Sequence, residues 1–271
     1  MAFITKITTQ VKNTERYNVF LDYGNGEEYA FSVDEDVLIK FRLGKGMELD
    51  EFSLSEISFQ DDIQKAYHSS VQFLARRMRT EGEVRNYLKD KQFDEPIIQE
   101  VIHKLYEYNF LNDEEFAFAY VRTQMNTTDK GSELIKRELK EKAINEKIIE
   151  KAIKEYPFEK QFLTAKLLGE KFSQKNMRDS DRIVRQKIEQ LLLRKGFSFE
   201  VIASVLEEMG GKEAENKELE ALRYQGEKAH RKYSGLSAVE YNRKVKEVLY
   251  RKGFSLDLID QFLNDKREEF E

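Results

Sequence analysis

The sequence contains no cysteine. That removes disulfide frameworks and thiolate metal sites together. A cysteine-free chain also fits a reducing compartment, so a cytoplasmic location is expected. No stretch of eighteen apolar residues occurs, so nothing reads as a membrane-spanning helix. The opening Met1-Ala2-Phe3-Ile4-Thr5-Lys6 lacks the basic-then-apolar order of a secretory signal. Also missing are the Gly-x-x-x-x-Gly-Lys phosphate loop, the Gly-x-Gly-x-x-Gly dinucleotide fingerprint and the Gly-x-Ser-x-Gly nucleophile elbow. The three histidines, His68, His103 and His230, stand alone, with no second His three or four residues away, so no helical metal pair forms. The expectation is a chain without catalytic residues, without metal and without cofactor.

What is present in quantity is charge: 36% of residues are charged against 40% hydrophobic, an ordinary core under a heavily charged surface. The net charge of −5 is unevenly placed. Residues 1–62 hold 6 Lys/Arg and 13 Asp/Glu, whereas residues 171–195 hold eight Lys/Arg against three Asp/Glu. The acidic first segment reads as β-rich. Ile4, Ile7 and Val11 alternate with polar residues, and two runs, Tyr17-Asn18-Val19-Phe20-Leu21 and Tyr29-Ala30-Phe31-Ser32-Val33, flank Gly24-Asn25-Gly26, a hairpin turn signal because glycine adopts positive φ cheaply. Asp34 is placed to cap a short helix through Phe41, and Met47-Glu48-Leu49 and Ile57-Ser58-Phe59 are further candidate strands.

The remainder carries one pattern four times. Leu88, Lys91, Phe93, Asp94 and Ile98 are followed by Leu139, Lys142, Ile144, Asn145 and Ile149, then by Leu192, Lys195, Phe197, Ser198 and Ile202, then by Leu249, Lys252, Phe254, Ser255 and Ile259; the leucines are 51, 53 and 57 residues apart. Each copy reads as one helix ending and another beginning. Gly196 and Gly253 sit where a left-handed residue closes a helix, and the preceding Lys suits the negative end of the helix dipole. Asp94, Asn145, Ser198 and Ser255 offer a short oxygen to the orphan N–H groups of the next helix. A longer helix precedes each hairpin: Ile63, Ala66, Tyr67, Ser70, Val71, Leu74 and Met78 form one apolar face, and Phe116, Ala117, Tyr120, Val121, Gln124 and Met125 another. Thr80 and Glu83 form a capping box, and Asn112 caps the second long helix with Glu115 three residues on. Pro157 and Gly210-Gly211 mark boundaries.

The expected fold is therefore mainly α, with tandem three-helix repeats in an elongated curved stack behind a small β-rich module. The boundaries are 1–60 for the module and 61–109, 110–156, 157–210 and 211–271 for the repeats. A unit of about fifty residues is marginal alone, so neighbours must cover its apolar edge.

The acidic groups Asp61-Asp62 and Asp113-Glu114-Glu115 fall at expected helix starts, where carboxylates complement the dipole. The hairpins are not expected to read DNA bases, because their second helices offer Glu95, Gln99, Glu100 and Lys104, or Glu146, Lys147, Glu150 and Lys151, not the Arg, Asn and Gln that pair with base edges. The candidate contact surface is basic. Arg178, Arg182 and Arg185 are spaced as one helix face, Lys187, Arg194 and Lys195 follow, and Arg76, Arg77 and Arg79 cluster after the first long helix. Such side chains could hold phosphates or an acidic protein surface, or could form an ordinary solvated face.

The stretch Leu74-Ala75-Arg76-Arg77-Met78-Arg79-Thr80-Glu81-Gly82-Glu83-Val84-Arg85-Asn86-Tyr87-Leu88 resembles the opening repeat of the RecX family. So do Leu105 to Ala117 and the Lys130-Gly131-Ser132 turn before Ile135-Lys136-Arg137-Glu138-Leu139. The resemblance implies a regulatory protein that binds RecA and RecA filaments on single-stranded DNA and modulates recombination and repair, with inhibition the expected direction. It also implies an elongated helical body lodged in the filament groove, and it supplies no catalytic residues. DNA itself is a further candidate partner, and a monomer is expected. Two alternatives stay open: a stand-alone nucleic-acid-binding repeat protein, and a helical scaffold for an unrelated protein.

Overall fold

The structure, a computed structural model, describes residues 1–210 and 212–268. It is mainly helical, with thirteen α-helices among the described residues and a four-stranded N-terminal sheet. The chain packs as two compact units, Met1–Ala117 with Lys140–Ile148, and Phe118–Leu139 with Ile149–Glu271.

In the first unit, strands β1 (Ala2–Thr9), β2 (Arg16–Asp22), β3 (Glu27–Asp34) and β4 (Glu48–Leu49) form an antiparallel sheet in the order β3-β2-β1-β4. The hairpin turn is held by the Asp22 carboxylate, which accepts from the N–H groups of Gly24 and Gly26, both at positive φ. Helix α1 (Glu35–Lys40) is capped by Asp34, and α2 (Glu51–Leu74) by Asp50. Ala2, Ile4, Val19, Leu21, Val33, Val37, Leu49 and Ile57 form the core of this part.

Helix α2 overturns two expectations. Ile57-Ser58-Phe59 is helical, and Asp61-Asp62 lies inside α2, well past its start. The helix also continues through the boundary expected at 60/61. Asp61 is buried there for a different reason: it accepts from Arg16 Nη2 and the Asp34 N–H, each at 2.9 Å, and pairs with Lys65. A buried carboxylate is retained where several donors replace its water, and these tie the sheet to the helix.

The second half of α2 packs Ile63 and Ala66 against α3 (Glu81–Asp90) and α4 (Glu95–Glu107) through Val84, Leu88, Ile98, Val101, Ile102 and Leu105. The capping box at Thr80 and Glu83 is present. Asp94 occupies its cap position without a side-chain hydrogen bond, with Pro96 in the first turn; proline removes one of the two N–H groups a cap usually reaches. α5 (Asp113–Thr127), α6 (Ser132–Glu141) and α7 (Glu146–Ala152) follow. Asn112 accepts the Glu115 N–H as expected.

In the second unit, α8 (Phe158–Lys175), α9 (Asp181–Lys195) and α10 (Phe199–Glu208) enclose Ala165, Val184, Ile188, Leu192, Phe197, Val201, Ile202 and Val205. α11 (Lys212–Tyr233), α12 (Ala238–Arg251) and α13 (Leu256–Glu268) do the same with Leu222, Val245, Leu249, Phe254, Ile259 and Phe262. Of the Gly210-Gly211 boundary signal, Gly211 lies outside the described residues.

The four bends share one conformation. The residue four beyond each motif leucine has positive φ: Gln92 (65°), Ala143 (62°), Gly196 (82°) and Gly253 (90°). In the first, third and fourth, the next residue's N–H returns to the motif leucine carbonyl: Phe93 to Leu88, Phe197 to Leu192 and Phe254 to Leu249. Glycine is thus used at only two of four left-handed positions.

Successive hairpins are joined by one device. The start of one hairpin's first helix meets the bend of the next. Thr80 Oγ1 donates to the Lys142 carbonyl at 2.9 Å, the Gly131 N–H to the Lys195 carbonyl at 2.8 Å, and Ser180 Oγ to the Lys252 carbonyl at 2.5 Å. The recurring lysine therefore supplies its main-chain oxygen. Hydrogen-bond donors at a helix start meet carbonyls left over at a helix end, with the dipoles opposed favourably.

Candidate functional site

The nine candidate cations do not form one surface of free charge. The segment after α2 holds Arg76, Arg77 and Arg79. Arg77 Nη2 donates to Glu83 Oε1 at 2.8 Å. Burial opposes ionisation of Glu83, but Arg77, the Thr80 N–H and Lys142 outweigh it and hold its carboxyl below the usual range. Arg79 is built into the core edge: its Nε donates to the Phe73 carbonyl and its guanidinium lies 3.6 Å from the Phe73 ring centroid. Phe73 in turn stacks on Tyr87 at 4.0 Å. Arg76 is exposed and makes no polar contact among the described residues.

The 171–195 cluster divides similarly. Arg178, Arg182 and Arg185 do not share one helix face, because α8 ends at Lys175 and α9 begins at Asp181, leaving Arg178 in the turn between them. There its guanidinium lies 4.5 Å from the Tyr224 ring centroid. Arg185 is committed to Asp181 at 2.6 Å and to the Leu206 carbonyl at 2.9 Å. Lys187 pairs with Asp179 and Lys195 with Asp129. Arg182 and Arg194 are exposed and have no hydrogen bond or ion pair among the described residues. The helix break escaped the sequence reading because Ser180 is a good cap but the segment around it shows no glycine or proline.

A second basic strip lies on α11. Arg223, Tyr224, Lys228, Arg231 and Lys232 are exposed and line one shallow groove with Glu227, which is paired to Lys266. Arg178 reaches this strip through Tyr224. Its sequence signal was available: an aromatic with basic residues recurring at three- and four-residue spacing. An exposed aromatic among cations suits stacking on an unpaired base beside phosphate contacts.

The second helices of the hairpins carry ion pairs within the protein. Glu95 pairs with Arg85 and Lys89, Glu146 with Lys140, and Glu150 with Lys136. Among the histidines, His68 lies 3.6 Å from Asp34, and His230 Nδ1 is 2.9 Å from the Tyr241 hydroxyl. Asp113, at the start of α5, accepts the Glu81 N–H, and burial raises its carboxyl. Among the described residues, no group of three or more His, Cys, Asp or Glu could hold a metal ion. No helix among the described residues is long and apolar enough to cross a membrane.

Family models match most of the chain. The regulatory protein RecX N-terminal domain matches residues 2–50, and the first and second RecX three-helix domains match 66–105 and 112–153. The third three-helix domain matches twice, at 159–206 and 216–263, so the last two helical triplets are two versions of one unit. Among similar proteins is the regulatory protein RecX of Geobacillus sp. (strain WCH70), 48% identical over 99% of this chain and 98% of its own. That of Bacillus subtilis (strain 168) is 46% identical over 98% of this chain and 99% of its own. A crystal structure of regulatory protein RecX aligns with a TM-score of 0.67 at 37% identity, covering 76% of this chain and 98% of that one. A structure of RecX from Lactobacillus salivarius aligns with a TM-score of 0.54 at 38% identity, covering 55% of this chain and 97% of that one. With five domain matches in order and relatives alike over nearly their full length, this chain belongs to the RecX family of regulatory proteins.

Proposed function

We propose that this protein binds RecA and RecA filaments on single-stranded DNA and lowers recombinase activity, without chemistry of its own. The full-length family match carries the reading, since the RecX resemblance implies a RecA regulator. The repeat construction fits it physically: like units joined in series offer many weak contacts that act together on a polymer of like subunits. Contact is assigned, in the first unit, to the uncommitted cation Arg76 and, in the second, to Arg182, Arg194 and the α11 strip around Tyr224. Arg77, Arg79, Arg185, Lys187 and Lys195 serve mainly to hold the protein's own structure.

The test is RecA ATPase on single-stranded DNA with and without this chain. The expected result is a fall in ATPase at fewer than one copy per RecA subunit. Unchanged ATPase, with unchanged filament assembly and disassembly, would overturn the proposal. Direct DNA contact is a second reading favoured by the α11 strip alone. It requires binding to bare single-stranded DNA with a steep salt dependence, lost on Tyr224→Ala.

A further inference from the structure

The joint described above occurs three times inside the chain, and each hairpin carries both halves of it. The two terminal halves are left over. At one end, α12 begins at Ser237 as α3 begins at Thr80 and α9 at Ser180, with each cap eight or twelve residues before its motif leucine. Thr80 and Ser180 are each 0% exposed because the next bend covers them. Ser237 is exposed, and beside it Leu236 is 42% and Val239 80% exposed. With no bend to meet among the described residues, Ser237 Oγ turns its proton to Glu240 Oε2 of its own cap, at 2.8 Å. At the other end, the bend Lys91-Gln92 is exposed, and the Phe93 behind it is only partly buried, whereas Ile144, Phe197 and Phe254 at the later bends are buried.

The exposed bend also retains the second contact of a joint. Where Thr80 meets Lys142, the Glu81 N–H is bonded to Asp113, 29 residues before that lysine. Asp62 stands 29 residues before Lys91, half-exposed, and among the described residues it pairs only with Lys65.

We propose that these two ends fit each other between copies: the α12 start of one chain receives the Lys91–Phe93 bend of another, continuing the internal joint. The occupant is a second copy because each end presents the partner half of a joint the chain already makes three times. Ser237 Oγ then donates to the Lys91 carbonyl, the Ala238 N–H to Asp62, and Leu236 and Val239 leave water. The contact is heterologous, so it propagates and does not close as a two-fold pair. It does not depend on what the protein regulates.

The absence of cysteine gives a direct test. Val239 stands two residues past its cap, as Gly82 and Arg182 do, and Gln92 is the left-handed bend residue, as Ala143 and Gly253 are. A Cβ added at Gly253 would lie 3.6 Å from Arg182 Cβ, within disulfide reach. Full-length Gln92→Cys and Val239→Cys chains are therefore mixed under mild oxidation. The expected result is a cross-linked dimer in the mixture and little in either variant alone. Both sites are exposed, so folding is not at issue. Sedimentation velocity of the unmodified chain should show association rising with concentration, weakened about tenfold or more by Val239→Asp. A mixture that cross-links no better than Val239→Cys alone would overturn the proposal, as would association indifferent to Val239→Asp.

Discussion

Replacing Gly131 by alanine tests the joint more sharply than any other change. Gly131 has an ordinary φ, so the substitution costs nothing in conformation. Its difficulty is what lies opposite: an added Cβ would lie 2.3 Å from the Gly196 carbonyl oxygen and 2.4 Å from both the Gly196 carbonyl carbon and the Phe197 nitrogen. All three are backbone atoms, so no side chain can rotate away. Carbon contacts settle at about 3.5–4 Å, so the helix start and the bend must part by about 1 Å. Parting them stretches two bonds, Gly131 N–H to the Lys195 carbonyl at 2.8 Å and Glu133 N–H to the Gly196 carbonyl at 2.9 Å. Overpacking costs about 1–3 kcal/mol and each of the two hydrogen bonds about 1 kcal/mol, giving a loss of about 3–5 kcal/mol. Urea denaturation followed by far-UV circular dichroism reads it, with hydrogen exchange at Glu133 reporting the joint itself. Gly235→Ala, at a glycine with ordinary φ and nothing within 4 Å, is the control and should change stability little. Gly196→Ala adds a left-handed penalty of about 1–2 kcal/mol to a clash of its own at the same joint, with Leu134, yet the double variant should lose less than the sum, because the joint opens once. A Gly131→Ala chain as stable as Gly235→Ala, with unchanged exchange at Glu133, would refute the close-contact argument.

Other substitutions probe other parts. Ala143→Gly should raise stability by about 0.5–1 kcal/mol in the same denaturation assay, because Ala143 holds a left-handed φ of 62° that glycine adopts freely. Asp61→Ala should cost about 3–5 kcal/mol and leave Arg16 without its buried partner; a loss under about 1 kcal/mol would mean that the sheet does not depend on it. Asp113 has its carboxyl raised by burial and by the nearby Glu81 and Glu83, so its contribution to stability is greatest when protonated and is lost as pH rises through its folded pKa. Asp113→Asn, which keeps an oxygen for the Glu81 N–H, should therefore stabilise the protein at neutral pH, with the gain shrinking as pH falls into the carboxylate range; a pH-independent difference would contradict this. Arg182→Glu should weaken RecA-filament binding with little change in melting temperature, whereas Arg185→Glu, which breaks the Asp181 pair and the Leu206 contact, should lower melting temperature first.

Much of the fold was legible because it is local. Thr80 and Glu83 announce a capping box within four residues, and Leu192, Lys195 and Gly196 announce a helix end within five. The period of about fifty residues follows from the chain alone. The reading failed where local signals are silent or ambiguous. Ile57-Ser58-Phe59 has the alternation of a strand, yet belongs to a helix started seven residues earlier by Asp50, a cap that its acidic surroundings do not single out. Arg178, Arg182 and Arg185 have helical spacing, yet the helix is interrupted between Lys175 and Asp181, which leaves Arg178 outside the helix that carries the other two.

The candidate surface was the least legible, because sequence counts charges and cannot see which are already paired. Arg185, Lys187 and Lys195 are drawn to Asp181, Asp179 and Asp129, the last 66 residues away along the chain. By itself the sequence determined most of the helices and caps, the repeat and the family, since each rests on neighbours in the chain or on whole-length likeness. Tertiary structure alone decided that the recurring lysine serves through its carbonyl and that Gly131 must be glycine. It also decided which cations are spent on the protein's own carboxylates. The lysine carbonyls, Gly131 and the Lys195 side chain meet residues about sixty or more apart in the chain, where packing sets the distance and no local pattern records it, whereas Arg185 and Lys187 find Asp181 and Asp179 close by in the chain.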